Sequence, residues 1–374
     1  MNEFPNTEAV SRIQNPHVWT GEKIELMVKA CREMAIYHER YSPEINRLYE
    51  KRNFRPESIE TEKDIERIPF IGVAAMKRFL MTAMPHEQAV LKLTSSGTKG
   101  QKTQIWFDRA SLDRVQSMLT VLWEQEGLAS REPTNYIMFV YDPKEAKDLG
   151  IAFSDKNQQR FAPVAESFYA IRMNQNGEWE FRKDQVLAKM EEFSKAGKPV
   201  RLFGIPSFIF EILGELEARG PIRLPPKSYM ITGGGWKAAE DKKVSRGYFR
   251  NKVSDLLGIP PENIRDGYGM AEHSAPYIEC RNHRFHVPVY NRVYPRDPVS
   301  LKIQPPGAVG LLELVSPYNT MMPNLAILST DLGYIDENPC ECRDSSPTFT
   351  LVGRGGLVKH KGCALHAEDI IKKR

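Results

Sequence analysis

Between residues 135 and 235 three short apolar runs, NYIMFVYD, KPVRLFGIPS and KSYMITGGG, are separated by amphipathic stretches such as Ser207 to Arg219. The runs are nearly continuous rather than alternating, and Gly or Pro bounds them, as expected of strands buried on both faces. Helices between such strands act as crossovers. The pattern therefore predicts an α/β protein with largely parallel strands flanked by helices, and AVGLLELVS further on adds another run of the same kind.

Four segments follow from shifts along the chain. Residues 1–88 are predicted to be helical and to pack on the core, with Ile24, Met27, Val28, Cys31, Met34 and Ala35 at helical spacing. Cys31 falls on that apolar stripe, so it is expected to be a buried core thiol. Residues 89–275 are expected to form an α/β core, 276–352 a smaller β-rich subdomain, and 353–374 a short tail carrying Cys363. With 374 residues and 41% apolar content, the chain can bury a full core.

Several function classes lose support at once. A formal charge of +4 spread over 27% charged residues gives no reason to expect nucleic acid as partner. The N-terminus lacks a basic-then-apolar leader, and no run of about 18 apolar residues occurs, so a cytoplasmic chain without a membrane span is expected. Five unevenly spaced cysteines do not make a disulfide framework.

The first chemical motif is LKLTSSGTKGQKT, which places Thr94, Ser95, Ser96, Gly97, Thr98, Lys99, Gly100 and Lys102 after an apolar run. Small residues let backbone N–H groups and hydroxyls approach phosphate oxygens, while lysines neutralise charge. A polyphosphate loop is expected here. It is not a Walker A loop, because only Thr98 and Lys99 stand between its glycines.

More motifs follow in order. YMITGGGWK sets Gly233, Gly234 and Gly235 directly after a strand, and DGYGMAEHS supplies Tyr268, Glu272 and His273. STDLG contributes Asp331, and LVGRGG contributes Arg354. A glycine run can floor an adenine and Tyr268 can stack on it. Glu272 is a hard oxygen ligand suited to Mg²⁺, and Asp331 can accept from ribose hydroxyls.

This ordered set resembles the acyl-adenylate-forming enzymes, a superfamily that includes acyl-CoA synthetases and peptide-synthetase adenylation domains, over most of residues 90 to 363. The resemblance implies ATP-driven formation of an acyl-AMP and passage of the acyl group to a thiol. By it, Thr94 to Lys102 hold phosphates, with Lys99 among the catalytic groups. Gly233 to Gly235 line the adenine, Glu272 holds Mg²⁺, Asp331 holds the ribose, and Arg354 lies beside it at a hinge.

Cys280 and His286 in ECRNHRFHVP, with Cys340 and Cys342 in NPCECRD, make a closed set of three thiols and one imidazole suited to structural Zn²⁺. A Cys-x-Cys pair does not readily close a disulfide on itself. The spacing departs from the zinc-finger consensus, so the residues alone leave the metal open. Resemblance to the phenylacetate-CoA-ligase-like branch, which carries a similar C-x5-H and C-x-C set, favours zinc. His283 is expected to be a surface loop histidine.

In the superfamily a further domain follows the GR motif and supplies a lysine, whereas this sequence runs twenty residues beyond Arg354. Those residues include KGCAL. Lys359, His360 and Lys361 would lower the Cys363 pKa, and Gly355, Gly356 and Gly362 would let the tail move. TSSGT, GIPSFI, ITGGGWK, HVP and KGCAL together resemble the LuxE family of acyl-protein synthetases. That resemblance implies that Cys363 receives the acyl group and that a fatty-acid reductase takes it onward.

YGMAEHS and the metal-like cysteines lie nearer the phenylacetate-CoA-ligase branch, which leaves the acid fatty or aryl. Phe203, Ile205, Pro206, Phe208, Val287 and Tyr290 are candidates for its pocket, with core packing as the alternative. Two other functions stay open at this point: a ligase releasing free acyl-CoA, and a zinc-stabilised nucleotide-binding scaffold without turnover.

Overall fold

The structure is a computed structural model that describes residues 3–94, 103–145, 159–236, 243–342 and 345–355. A seven-stranded sheet contains β4 (Thr134–Tyr141), β5 (Val164–Met173), β6 (Trp179–Phe181), β7 (Val200–Gly204), β8 (Tyr229–Gly233), β9 (Ile264–Tyr268) and β10 (Tyr277–Ile278). Its order is β10-β9-β8-β7-β4-β5-β6. The five inner strands pair in parallel, and only the edges β10 and β6 run antiparallel.

The apolar runs are continuous because both faces are covered. On β4, Ile137, Phe139 and Tyr141 face a core built with helices α7 (Lys183–Lys195), α8 (Pro206–Arg219) and α9 (Arg246–Leu257). The intervening Tyr136, Met138 and Val140 are equally buried on the other face. On that side α6 (Arg109–Gln125) lays Leu119, Leu122 and Trp123 against Tyr229 and Ile231. Asp108 starts α6 by accepting from the Ser111 amide.

The second sheet is antiparallel except for one short pair on its central strand. It runs β11 (Phe285–His286), β15 (Thr348–Arg354), β14 (Ala326–Ile335), β13 (Gly310–Val315), β12 (Arg292–Arg296), and the two-residue β1 (Ile71–Gly72) pairs parallel with β14. AVGLLELVS forms β13, so this apolar run is antiparallel, unlike the other three. A hairpin of β2 (Leu91–Thr94) and β3 (Gln104–Phe107) flanks the phosphate-loop sequence.

The N-terminal region is helical as its periodicity predicts. Thr20 caps α2 (Gly21–Tyr41), whose buried stripe is Met27, Val28, Cys31, Met34, Ala35 and His38. That stripe packs with Val315, Tyr318, Met322 and Ile327 of the second sheet and its loops. Burial pushes the Cys31 thiol up to about 12, so it stays a protonated core thiol. Among the described residues no helix is long and apolar enough to cross a membrane.

Candidate nucleotide site and candidate metal centre

Parallel strands end together at their carboxyl edge, where open α/β sheets place their ligands. At that edge β8 ends in Gly233, in register with Gly267 on β9. The chain then turns through Gly234 and Gly235, with φ of 78° and 71°. Side chains are disfavoured in that left-handed region, so the turn presents bare backbone. Beneath it Thr232 donates to Asp266 at 3.1 Å.

The end of β9 supplies Tyr268, and the second sheet supplies its partner. The Tyr268 hydroxyl donates to Asp331 Oδ2 at 3.0 Å. Arg354 Nε donates to Asp331 Oδ1 at 3.2 Å, its residue lying opposite Asp331 in the β14–β15 register. Burial, then the Asp331 charge, holds the Tyr268 phenol well above its ordinary value, so it remains a donor. Three residues 23 to 86 positions apart in sequence thus meet on one carboxylate.

Glu272 is buried in the loop after β9. Two bonds to the Met270 carbonyl, from the His273 and Ser274 amides at 3.2 and 2.8 Å, fold this loop tightly. Asn324 ties it to the second sheet by donating to the Glu272 carbonyl at 2.9 Å and to the Tyr318 hydroxyl at 3.0 Å. His273 is fully buried, and burial lowers its imidazole to about 3, so it is neutral. Its ring stacks 5.9 Å from Tyr277. Nothing in the local sequence marks Asn324 for this role, since the Glu272 carbonyl it holds belongs to a residue 52 positions away.

Of the remaining expected nucleotide residues, Thr94 ends β2. Ser95, Ser96, Gly97, Thr98, Lys99 and Lys102 lie outside the described residues, as do Lys359, His360, Lys361 and Cys363. The candidate acid-pocket residues do not converge. Ile205 and Phe208 are packed in the core beneath α8, Val287 sits in the aromatic core of the second sheet, and Tyr290 lies in the N-terminal core. An open cavity of about 590 Å³ is lined instead by Glu8, Arg12, Met84, Asp108 and Arg109, apart from the nucleotide residues.

The four metal-ligand candidates do converge. The ligand atoms of Cys280, His286, Cys340 and Cys342 all lie within 4.8 Å of one another. Cys280 and Cys340 sulfurs are 3.8 Å apart, which is about the edge of a tetrahedron with Zn–S bonds near 2.3 Å. Cys342 lies 3.2 Å from both the Cys340 sulfur and His286 Nε2. None of the four described cysteines is in a disulfide. Three thiols and an imidazole closed on one point fit zinc, which would clamp the β10–β11 turn to the β14–β15 connection without an open position for chemistry. His283 stands outside this set at φ 59°, partly exposed, with Nδ1 3.8 Å from Glu279.

Comparison with known proteins gives the family and the fold. Residues 12–371 match the family model described as "Acyl-protein synthetase, LuxE". A long-chain-fatty-acid–luciferin-component ligase of Aliivibrio fischeri is 25% identical over 96% of this chain and 92% of its own. The Vibrio harveyi protein of the same name is 27% identical over 82% and 79%. Among solved structures, 2-hydroxyisobutyryl-CoA ligase with 2-HIB-AMP superposes with a TM-score of 0.68 at 14% identity, covering 90% of this chain and 68% of that one. With both 2-HIB-AMP and CoA bound, that ligase gives 0.69 at 15%, over 90% and 69%. The fold is that of the adenylate-forming ligases, and the chain belongs to the acyl-protein synthetase family, LuxE.

Proposed function

We propose that this enzyme activates a carboxylic acid with ATP and loads the acyl group onto its own Cys363. The observation that carries the reading is the meeting of Tyr268, Asp331 and Arg354 at the strand edge beside the Gly233–Gly235 turn. A carboxylate fixed from two sides retains lone pairs for two ribose hydroxyls. Bare glycine backbone next to an aromatic ring suits a flat purine. Glu272 would hold Mg²⁺, which supplies charge neutralisation on the phosphates. The loop Thr94 to Lys102, Lys99 included, would hold the phosphates themselves.

In the first step a carboxylate oxygen attacks the α-phosphorus, a P–O bond forms, and pyrophosphate leaves with the electrons of the bond that breaks. In the second, the Cys363 thiolate attacks the acyl carbon. A C–S bond forms, the C–O bond to the phosphate breaks, AMP departs and the thiol proton passes to solvent. The fatty-acid specificity in the names of the two bacterial relatives favours a long-chain acid here. A reductase acting on the thioester is the partner that this chemistry and the family suggest.

Intact-mass measurement tests this. Incubation with ATP, Mg²⁺ and a panel of fatty and aryl acids is expected to add one acyl mass to the wild type and none to Cys363→Ala, while both release pyrophosphate. An adduct that persists in Cys363→Ala, or free acyl-CoA formed on adding CoA without any adduct, overturns self-loading.

A further inference from the structure

One aromatic cluster runs from Phe285, the residue before the candidate metal ligand His286, to Tyr268, which donates to Asp331. His286 follows Phe285 in sequence, and both pair with β15 in the register Phe285 to Phe349 and His286 to Thr348. The Phe285 and Phe349 rings stack at 5.4 Å. Both also meet Tyr268 edge-on, at 6.3 and 6.0 Å. Tyr277 closes the cluster, 5.1 Å from Phe349 and stacked 5.9 Å from Tyr268. All four rings are buried, and the hydroxyl of Tyr268 is the group that donates to Asp331.

The two-residue strand β11 is too short to fix its own register, because it contributes only two residue pairs. Four ligands drawn to one ion would supply that constraint, holding β11 against β15 on the side remote from Asp331. Close-packed rings transmit such a constraint, since displacing one forces its neighbours off their contacts. β15 carries the same coupling along its length, from Thr348 beside the centre to Arg354 on Asp331.

We propose that zinc at Cys280, His286, Cys340 and Cys342 positions Asp331 for the nucleoside through Phe285, Phe349 and Tyr268. The inference rests on the nucleotide-site reading above. Phe285 and Phe349 are positioning residues, acting on the nucleotide only through Tyr268. The nucleoside end of ATP is the part that feels the metal, and the phosphate end is not.

The test measures binding by calorimetry, with a non-hydrolysable ATP analogue, AMP and inorganic pyrophosphate as probes. Full-length wild type is compared with Cys342→Ser and with wild type stripped by a chelator, with zinc content by mass spectrometry and folding by circular dichroism. Loss of zinc is expected to weaken AMP and the ATP analogue by about tenfold, within the usual range of coupling between sites, and to leave pyrophosphate unchanged. In a Tyr268→Phe background, which keeps the ring and removes the hydroxyl, the same loss is expected to cost less than about threefold, the signature of coupled residues. Additive effects, equal weakening of pyrophosphate, or unchanged nucleotide affinity in the folded metal-free protein overturn the proposal. A wild type that holds no zinc, or one that holds zinc and binds no nucleotide, also overturns it. The latter outcome alone strikes the function reading as well.

Discussion

His38 shows how a single side chain can carry pH dependence without being part of a site. It is fully buried on α2, and its Nε2 lies 2.9 Å from the Asn319 carbonyl, which requires the proton on that nitrogen. Burial lowers its pKa from 6.5 to about 4, against a weaker opposing effect of the carbonyl bond. Because the folded-state pKa is depressed, its contribution is complete above 6.5 and is lost as pH falls toward 4. That depression corresponds to a contribution on the order of 3 kcal/mol. His38→Gln keeps a donor for Asn319 and removes the titration. Urea midpoints from pH 7 to 4 should fall less steeply in His38→Gln than in wild type. Parallel slopes would show that other groups govern acid sensitivity.

At the scale of elements, the strand-to-helix junctions hold the tightest constraints. Gly204 ends β7 at φ 145°, in register with Phe139 of β4, and a Cβ there would stand 2.5 Å from the Phe139 carbonyl oxygen. The next residues, Ile205 and Pro206, begin α8 with proline in its first turn. Gly204→Ala therefore combines backbone strain with a backbone clash, and a loss of about 3 kcal/mol or more is expected in denaturant unfolding. A loss below about 1 kcal/mol would mean the junction relaxes freely.

The strands on either side of that junction were legible in the sequence because burial on both faces leaves no room for polar residues, so NYIMFVYD and KSYMITGGG stand out. The parallel pairing of β1 with β14 was not legible. Ile71 and Gly72 are only two residues long and find their partner some 256 positions away, as Ile71 to Ile327. The Cys and His set that the structure brings together could be read because metal-ligating residue types carry their own chemical signature. Phe203, Ile205, Pro206, Phe208, Val287 and Tyr290 could not be sorted, since an apolar residue looks the same in a pocket and in a core. Likewise Arg201, buried between Tyr136 and Tyr229 and donating to the Leu128 carbonyl, gives no sign in the sequence that its charge is satisfied.

At the scale of the whole molecule, the proposed nucleotide site draws residues from both sheets. Tyr268 and the Gly233–Gly235 turn come from the parallel sheet, while Asp331 and Arg354 come from the antiparallel one. A nucleotide that contacts both groups binds only when the sheets are docked, so its binding energy adds to the stability of the docked state and not to either sheet alone. At a concentration about 100 times its Kd, a non-hydrolysable ATP analogue should add about 2.7 kcal/mol to unfolding. Asp331→Ala removes the antiparallel sheet's share of the contacts and also frees Arg354, which lies largely exposed and can turn to solvent. The folded variant should therefore show a smaller thermal shift than wild type at equal analogue concentration, approaching none as affinity falls below that concentration. A shift equal to that of wild type would mean that the nucleotide is held by the parallel sheet alone, and that Tyr268 meets Asp331 for packing rather than for ribose.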